Sequence, residues 1–251
     1  MNHLRGRVAI VTGGTRDIGR SCSIKLAEAG AKVVVNYHSN RAAGEETVGK
    51  IEEADGTAIL VQGDMTRKAD VDRLVAQTCD AFGDSIHVLV NNVGGLVARK
   101  KLAEMDEAFV NQVMALNFNS TFLVTQAVVP KMPHGSSIVN LASLAGRDGG
   151  GTGASAYSVA KGAVMTFTRS MAKELGPQGI RVNALCPGMI DTTFHDRFTP
   201  DAVRKNVEAS VPLRRQGDPE DCADAVVYLA SDASSYITGA NIDINGGMFF
   251  S

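Results

Sequence analysis

"VTGGTRDIGR", Val11 to Arg20, completes an apolar run, "VAIVT" (8–12), and opens the helix-like stretch "IGRSCSIKLAEAG", which stops at Gly30. A strand, a glycine-bearing turn and a helix in that order place backbone N–H groups and the positive end of a helix dipole where a pyrophosphate can sit. Gly13, Thr15, Arg16, Asp17, Ile18 and Gly19 are therefore candidate cofactor contacts. Asp17 stands where a third glycine is expected. An Asp near a helix start is a good N-cap, worth about 1 kcal/mol. Against a phosphate about 4 Å away it costs about 1 kcal/mol in water-like surroundings and about 4 at an effective dielectric near 20. Arg16 offsets part of that charge, so the acid is expected to weaken cofactor affinity without abolishing it.

The same alternation continues along the chain. Apolar runs of strand length fall at 8–12, 32–36, 58–62, 86–91, 136–143, 180–186 and 241–244. Helix-like segments lie near 18–29, 41–54, 67–82, 107–131, 156–175 and 219–231. Continuous β-branched runs separated by helices mean strands covered on both faces, hence a parallel sheet wound by right-handed crossovers. The expected fold is α/β, a single-domain Rossmann fold over residues 1–251. It is a doubly wound, seven-stranded parallel sheet with helices on both faces and a small substrate-lid insertion near 188–216. Ligands of such sheets bind beyond the carboxyl ends of the strands.

Composition narrows the function. The 251 residues carry a formal net charge of −2, with 44% hydrophobic and 21% charged residues. That balance offers no basic field for nucleic acid and no polybasic anchor for a membrane. No window approaches a membrane span or a signal peptide. Cys22, Cys79, Cys186 and Cys222 are widely spaced and form no C-x-x-C pair, which fits free thiols in a reducing cytoplasm and no metal site.

After the second strand, "VVVNYHSNR" has Asn36 where an acid would take the ribose hydroxyls of NAD. Arg16, His38 and Arg41 are nearby as donors to a 2′-phosphate, which favours NADP(H), with NAD(H) as the alternative. "SAYSVAK" sets Tyr157 and Lys161 four residues apart on one helix face. An ammonium one turn away is expected to lower the tyrosine pKa from its ordinary value near 10. Ser143 ends strand five and reaches the same crevice, and Asn117 lies in the preceding helix.

Taken in this order, Thr-Gly-x-x-x-x-x-Gly (12–19), "NNVG" (91–94), Ser143, Tyr157-x-x-x-Lys161, "NALCPGMIDT" and "GANIDINGG" resemble the short-chain dehydrogenase/reductase family from about Gly6 to Gly247. The resemblance implies hydride transfer between a nicotinamide and a carbonyl or alcohol. It makes Tyr157 the proton donor and acceptor, Lys161 the holder of the nicotinamide ribose, Ser143 the carbonyl polariser and Asn117 the support of a relay water. It implies adenine contact at Asp64, packing beneath the cofactor by Asn91 and Gly94, and a grip on the nicotinamide end by Pro187, Gly188, Ile190 and Thr192. A homotetramer packed through the helices near 107–131 and 156–175 is also implied, with Val113, Leu116, Phe118, Val164 and Phe167 as compatible apolar positions.

Arg99 in "GGLVARKK" and Arg147 in "LAGRDGGGTGAS" are candidate substrate contacts, because cations at the mouth suit an anionic group. The chain resembles both 3-oxoacyl-[acyl-carrier-protein] reductases and reductases of uronate-derived α-keto sugar acids, so the substrate is a small-molecule or carrier-bound carbonyl. A non-catalytic dinucleotide-binding scaffold is the alternative of another class, with Asp17 its only support.

Overall fold

Strand alternation decides where this chain buries itself. In the computed structural model, which describes residues 4–250, the strands β1 (Val8–Val11), β2 (Lys32–Tyr37), β3 (Thr57–Gln62), β4 (Val88–Asn91), β5 (Ser137–Leu141), β6 (Arg181–Pro187) and β7 (Asn241–Ile244) pair in the order 3-2-1-4-5-6-7. Every pairing is parallel. Successive side chains point to opposite faces. Val88 and Val90 thus join Ala9, Val11, Val33 and Val35 in one core, while Leu89 joins Ile10 and Val34 in the other.

Helices α1 (Asp17–Glu28), α2 (Arg41–Glu53) and α10 (Pro219–Ala230) close the first core through Leu26, Ile51 and Val226. Helices α3 (Lys68–Phe82), α5 (Ser120–Val128) and α7 (Ser155–Leu175) close the second through Leu74, Val124 and Leu175. Caps set several starts. The Asn40 side chain accepts from Ala43 N at 3.1 Å to begin α2. Pro219 opens α10 behind a capping box of Asp218 and Asp221.

The expected helix at 107–131 is interrupted. Helix α4 (Glu107–Met114) passes into a π-helical turn, Ala115–Asn119, before α5 resumes. π-turns widen a helix locally and concentrate at functional sites; this one carries Asn117. The segment expected as an irregular insertion holds two helices, α8 (Thr193–Phe198) and α9 (Asp201–Ser210), and a four-residue helix, α6 (Ala145–Asp148), follows β5.

Two expectations about residues change here. Asn36 lies inside β2, is 1% exposed and does not face the crevice. Its Oδ1 accepts from Gly13 N at 3.1 Å and its Nδ2 donates to Gly63 O at 3.1 Å, so it staples the glycine turn to the neighbouring strand ends. Val113 and Val164 are fully buried in this chain's own core, and Phe118 packs edge-on against Phe167 at 5.8 Å. Val113 and Val164 are therefore not part of a free apolar face, whereas Phe118 and Phe167 stay partly exposed. Among the described residues no helix is long and apolar enough to cross a membrane, and no cluster of three His, Cys, Asp or Glu side chains could hold a metal.

Candidate active site

Reversal of strand order between β1 and β4 leaves a crevice beyond their carboxyl ends, which is where open α/β sheets bind ligands. A cleft of about 770 Å³ occupies it. Its floor begins at the glycine turn, with Gly13, Thr15, Arg16, Asp17, Ile18 and Gly19 all lining it. A Cβ at residue 19 would collide with the Gly13 carbonyl oxygen and come within 2.6 Å of Asn92 Nδ2. Only glycine fits there, and the first turn of α1 keeps N–H groups with no intrahelical acceptor. These features fit a dinucleotide's pyrophosphate.

Asp17 departs from expectation. Its φ of 50° puts a non-glycine residue in the left-handed region, which Asp tolerates better than most. It does not cap α1. Its carboxylate instead reaches across the cleft, where Oδ2 accepts from the Thr193 hydroxyl at 2.6 Å and Oδ1 from Thr193 N at 3.2 Å. The Arg16 guanidinium donates to Asp17 Oδ2 at 3.2 Å and also to Thr193 Oγ1.

At the end of β2, Tyr37, His38, Ser39 and Asn40 line the cleft. No carboxylate stands among them. His38 is exposed, with Nε2 4.0 Å from Asp64 Oδ2. Asp64 itself lies outside the lining and spends Oδ1 on the Thr66 amide and hydroxyl. Arg41 is turned away to Glu45 at 2.7 Å. Asn91 lies where a residue packed beneath a cofactor would. It is buried below the cleft, donating to Thr125 Oγ1 and Asn140 Oδ1, with its own Oδ1 unpartnered. The next residue, Asn92, lines the cleft and donates to the Thr12 and Gly13 carbonyls. Sequence reasoning passed over it because both asparagines share one motif and only strand pleat separates them.

On the other wall β5 and α7 bring Ser143, Tyr157 and Lys161 together, all lining the cleft. The nearby Ser143 hydroxyl favours the phenolate, but burial dominates and raises the tyrosine pKa above its ordinary value. That reverses the expected depression. The Lys161 Nζ lies 5.8 Å from the Tyr157 ring centroid and donates to Leu141 O at 2.6 Å. Burial also presses the lysine down, to about 8 from 10.5. Asn117 is fully buried outside the lining. Its amide accepts from Gly95 N and donates to Gly95 O and Val113 O, each at 2.9 Å. Its role here is to clamp the Gly94–Gly95 backbone. Gly94 lines the cleft, and a Cβ there would sit 2.8 Å from both Asn117 Oδ1 and Lys161 Nζ.

The roof comes from the segment after β6. Pro187, Gly188, Ile190 and Thr192 line the cleft as expected, and α8 adds Phe194, His195 and Phe198. The Phe194 ring lies 6.0 Å from that of Tyr157 and 5.2 Å from that of Phe198. Burial, with Arg204 and Arg99 nearby, lowers the His195 pKa to about 4, so its imidazole is neutral. The i,i+4 aromatic spacing of Phe194 and Phe198 was a signal available in the sequence. Opposite them, Val97 lines the cleft with φ 64°, a strained setting for a β-branched residue.

Of the two candidate substrate cations, Arg99 lines the cleft, donating to Phe198 O at 3.2 Å and Thr152 O at 3.0 Å. Arg147 does not. Its Nε pairs with Asp243 Oδ1 at 2.7 Å, both side chains 14% exposed, and Nη2 donates to Asn241 O, tying α6 to β7. An exposed-looking Arg in a glycine-rich loop is thus a half-buried tie between elements distant in sequence.

The family model described as Enoyl-(Acyl carrier protein) reductase matches residues 13–249. The chain is 38% identical over 255 residues to 3-oxoacyl-[acyl-carrier-protein] reductase of Synechocystis sp., covering 99% of both. A short-chain dehydrogenase/reductase from Serratia marcescens superposes with a TM-score of 0.92 at 30% identity, covering 98% of this chain and 99% of that one. NADH-dependent reductase A1-R′, responsible for alginate metabolism, superposes with a TM-score of 0.91 at 34% identity over 100% of both chains.

The desolvated lysine has a measurable consequence. Its folded pKa lies below that of the unfolded chain, so the unfolded state binds more protons between about 8 and 10.5. Stability therefore rises with pH across that window. Wild-type protein should gain about 3 kcal/mol relative to Lys161→Met between pH 7 and pH 10.5, read by urea denaturation without cofactor. A constant difference would mean that the ammonium is not desolvated.

Proposed function

The chain belongs to the short-chain dehydrogenase/reductase family, and from that premise we propose that it is an NADP(H)-preferring reductase of 3-oxoacyl-type carbonyl substrates. The carrying observation is the convergence of Ser143, Tyr157 and Lys161 on one wall of a cleft whose floor is a glycine turn shaped for a pyrophosphate.

A nicotinamide cofactor, when bound, supplies the hydride. The residues that would hold it are the Gly13–Gly19 turn, Asn92 and the Pro187–Thr192 segment, with Lys161 toward the ribose. Tyr157 carries the proton. With its pKa raised by burial it is a neutral phenol at neutral pH, the form that donates to a carbonyl oxygen. Ser143, on the same cleft wall as Tyr157, presents a second donor to the same oxygen. Gly94 lets backbone approach where any side chain would press on Lys161. Phe194 and Phe198 exclude water above the tyrosine.

The NADP(H) preference rests on the missing carboxylate after β2 and on His38 and Arg16 at the cleft edge. The apolar roof of Phe194, Phe198, Leu96 and Met248 supports an acyl chain. A second reading, an anionic α-keto sugar acid, is favoured by Arg99 and Arg197 in the lining and by the full-length likeness to the alginate-metabolism reductase. Exposed Val110, Phe122 and Val159 on α4, α5 and α7 support self-association through these helices in a homotetramer.

Two experiments test this reading. A panel of 3-oxoacyl thioesters and 2-keto acids, followed in parallel by NADPH and NADH absorbance, should show highest kcat/KM for a thioester with NADPH. Preference for the keto acids selects the second reading, and no turnover on any carbonyl contradicts both. His38→Asp should shift the NADPH-to-NADH ratio of kcat/KM toward NADH by about tenfold or more, since the new carboxylate bonds ribose hydroxyls and repels a 2′-phosphate. An unchanged ratio removes His38 from cofactor choice.

A further inference from the structure

The acid at residue 17 spends both carboxylate oxygens on one residue of α8, and that pairing joins two parts of the cleft 176 residues apart in sequence. Thr193 is the first residue of α8, the helix whose Phe194 lies over Tyr157 and whose Phe198 completes the roof. The Asp17 carboxylate is 23% exposed, and Arg16 bonds both Asp17 and Thr193, so the three side chains form one closed set. At the far end of α8, Arg99 holds the Phe198 carbonyl. The roof is therefore pinned at both ends, by the cofactor turn at one and by the loop after β4 at the other.

The backbone at residue 17 indicates what is gained. Its φ of 50° suits glycine better than any L side chain. The carboxylate also stands in a turn that receives a polyanion. Neither the backbone nor the electrostatics of the turn favours an acid there. The contact it does make is with the roof.

We propose that Asp17 is a positioning residue: through Thr193, with Arg16 balancing its charge, it latches α8 onto the nucleotide turn and thereby closes the cleft over the bound dinucleotide. Cofactor exchange requires the latch to open, and closure sets Phe194 above the phenol that transfers the proton. The latch rests on the dinucleotide reading of the cleft but not on the identity of the carbonyl substrate. It also accounts for the carboxylate without casting it as a bare repulsive charge. Its negative charge is held by Arg16 and by two donors of Thr193, away from the N–H groups of α1.

Asp17→Gly removes the carboxylate and relaxes the left-handed backbone, so the variant folds. Thr193→Val removes the hydroxyl and leaves the acid in place. Asp17→Asn keeps an acceptor for Thr193 without the charge. Stopped-flow displacement of NADPH, or of NADH if the wild type binds only that, should give dissociation about tenfold faster in Asp17→Gly and Thr193→Val. The double variant should be no faster than Asp17→Gly alone, and Asp17→Asn should fall between wild type and Asp17→Gly. In cofactor-free protein, amide hydrogen exchange over 192–198 should rise in both single variants and stay unchanged in α7. Slower dissociation from Asp17→Gly with Thr193→Val at the wild-type value would overturn the proposal, since the acid would then act only as a charge against phosphate. Multiplying effects in the double variant, or unchanged exchange over 192–198, would overturn it as well. Failure of the wild type to bind either nucleotide would refute the dinucleotide reading, and the cofactor-free exchange measurement would still decide the latch.

Discussion

A buried ammonium organises this molecule's chemistry. Lys161 is 4% exposed, and its one hydrogen bond in the structure runs to the carbonyl of Leu141 at the end of β5. A charge so desolvated is held at a cost, visible as a pKa near 8, and it persists because several elements enclose it. Helix α7 delivers it, β5 accepts from it, and Gly94 leaves the space that it fills. The same enclosure partly buries Tyr157, and that desolvation makes the phenol harder to ionise than an exposed one. The lysine and tyrosine are therefore neighbours on one cleft wall, each shifted chiefly by desolvation.

Around that wall the remaining parts act as clamps. The π-turn sets Asn117 where its amide meets both polar groups of Gly95, fixing the loop beside Lys161. Arg147, paired with Asp243, fixes α6 just after Ser143. Asn36 fixes the glycine turn against β2 and β3. Each is a polar side chain spent within the protein, which is what buried polar groups require. The result is a preorganised cleft whose roof, α8, is the element held by side chains from opposite sides.

Much of this was legible in the sequence. The apolar runs coincide with the strands apart from a residue or two at the ends, because buried parallel strands read as continuous β-branched stretches. Residues 107–131 read as one helix because a π-turn changes hydrogen bonding without changing helical period enough to show. Tyr157, Lys161 and Ser143 were placed by local spacing, a helix turn and a strand end, and given their roles by the family resemblance. What failed was long-range. Asn36 was expected at the ribose-facing end of the second strand, yet strand pleat and its partners Gly13 and Gly63 turn its side chain inward. Arg147 looked like a free cation because Asp243 is 96 residues away in sequence. Asp17 was weighed only as a helix cap or a phosphate repellent, since Thr193 enters its surroundings only when the chain folds.

The proposed function turns on the Tyr157 hydroxyl, beside Ser143 in the cleft wall, giving its proton to a carbonyl next to a bound nicotinamide. Turnover of Tyr157→Phe, measured together with cofactor affinity by fluorescence titration, tests this most directly. The account predicts kcat lower by a factor of about 10² to 10⁴ with the nucleotide dissociation constant within about twofold of wild type, because the lost hydroxyl belongs to proton transfer and the pyrophosphate turn is untouched. A near-normal kcat in that variant would contradict it.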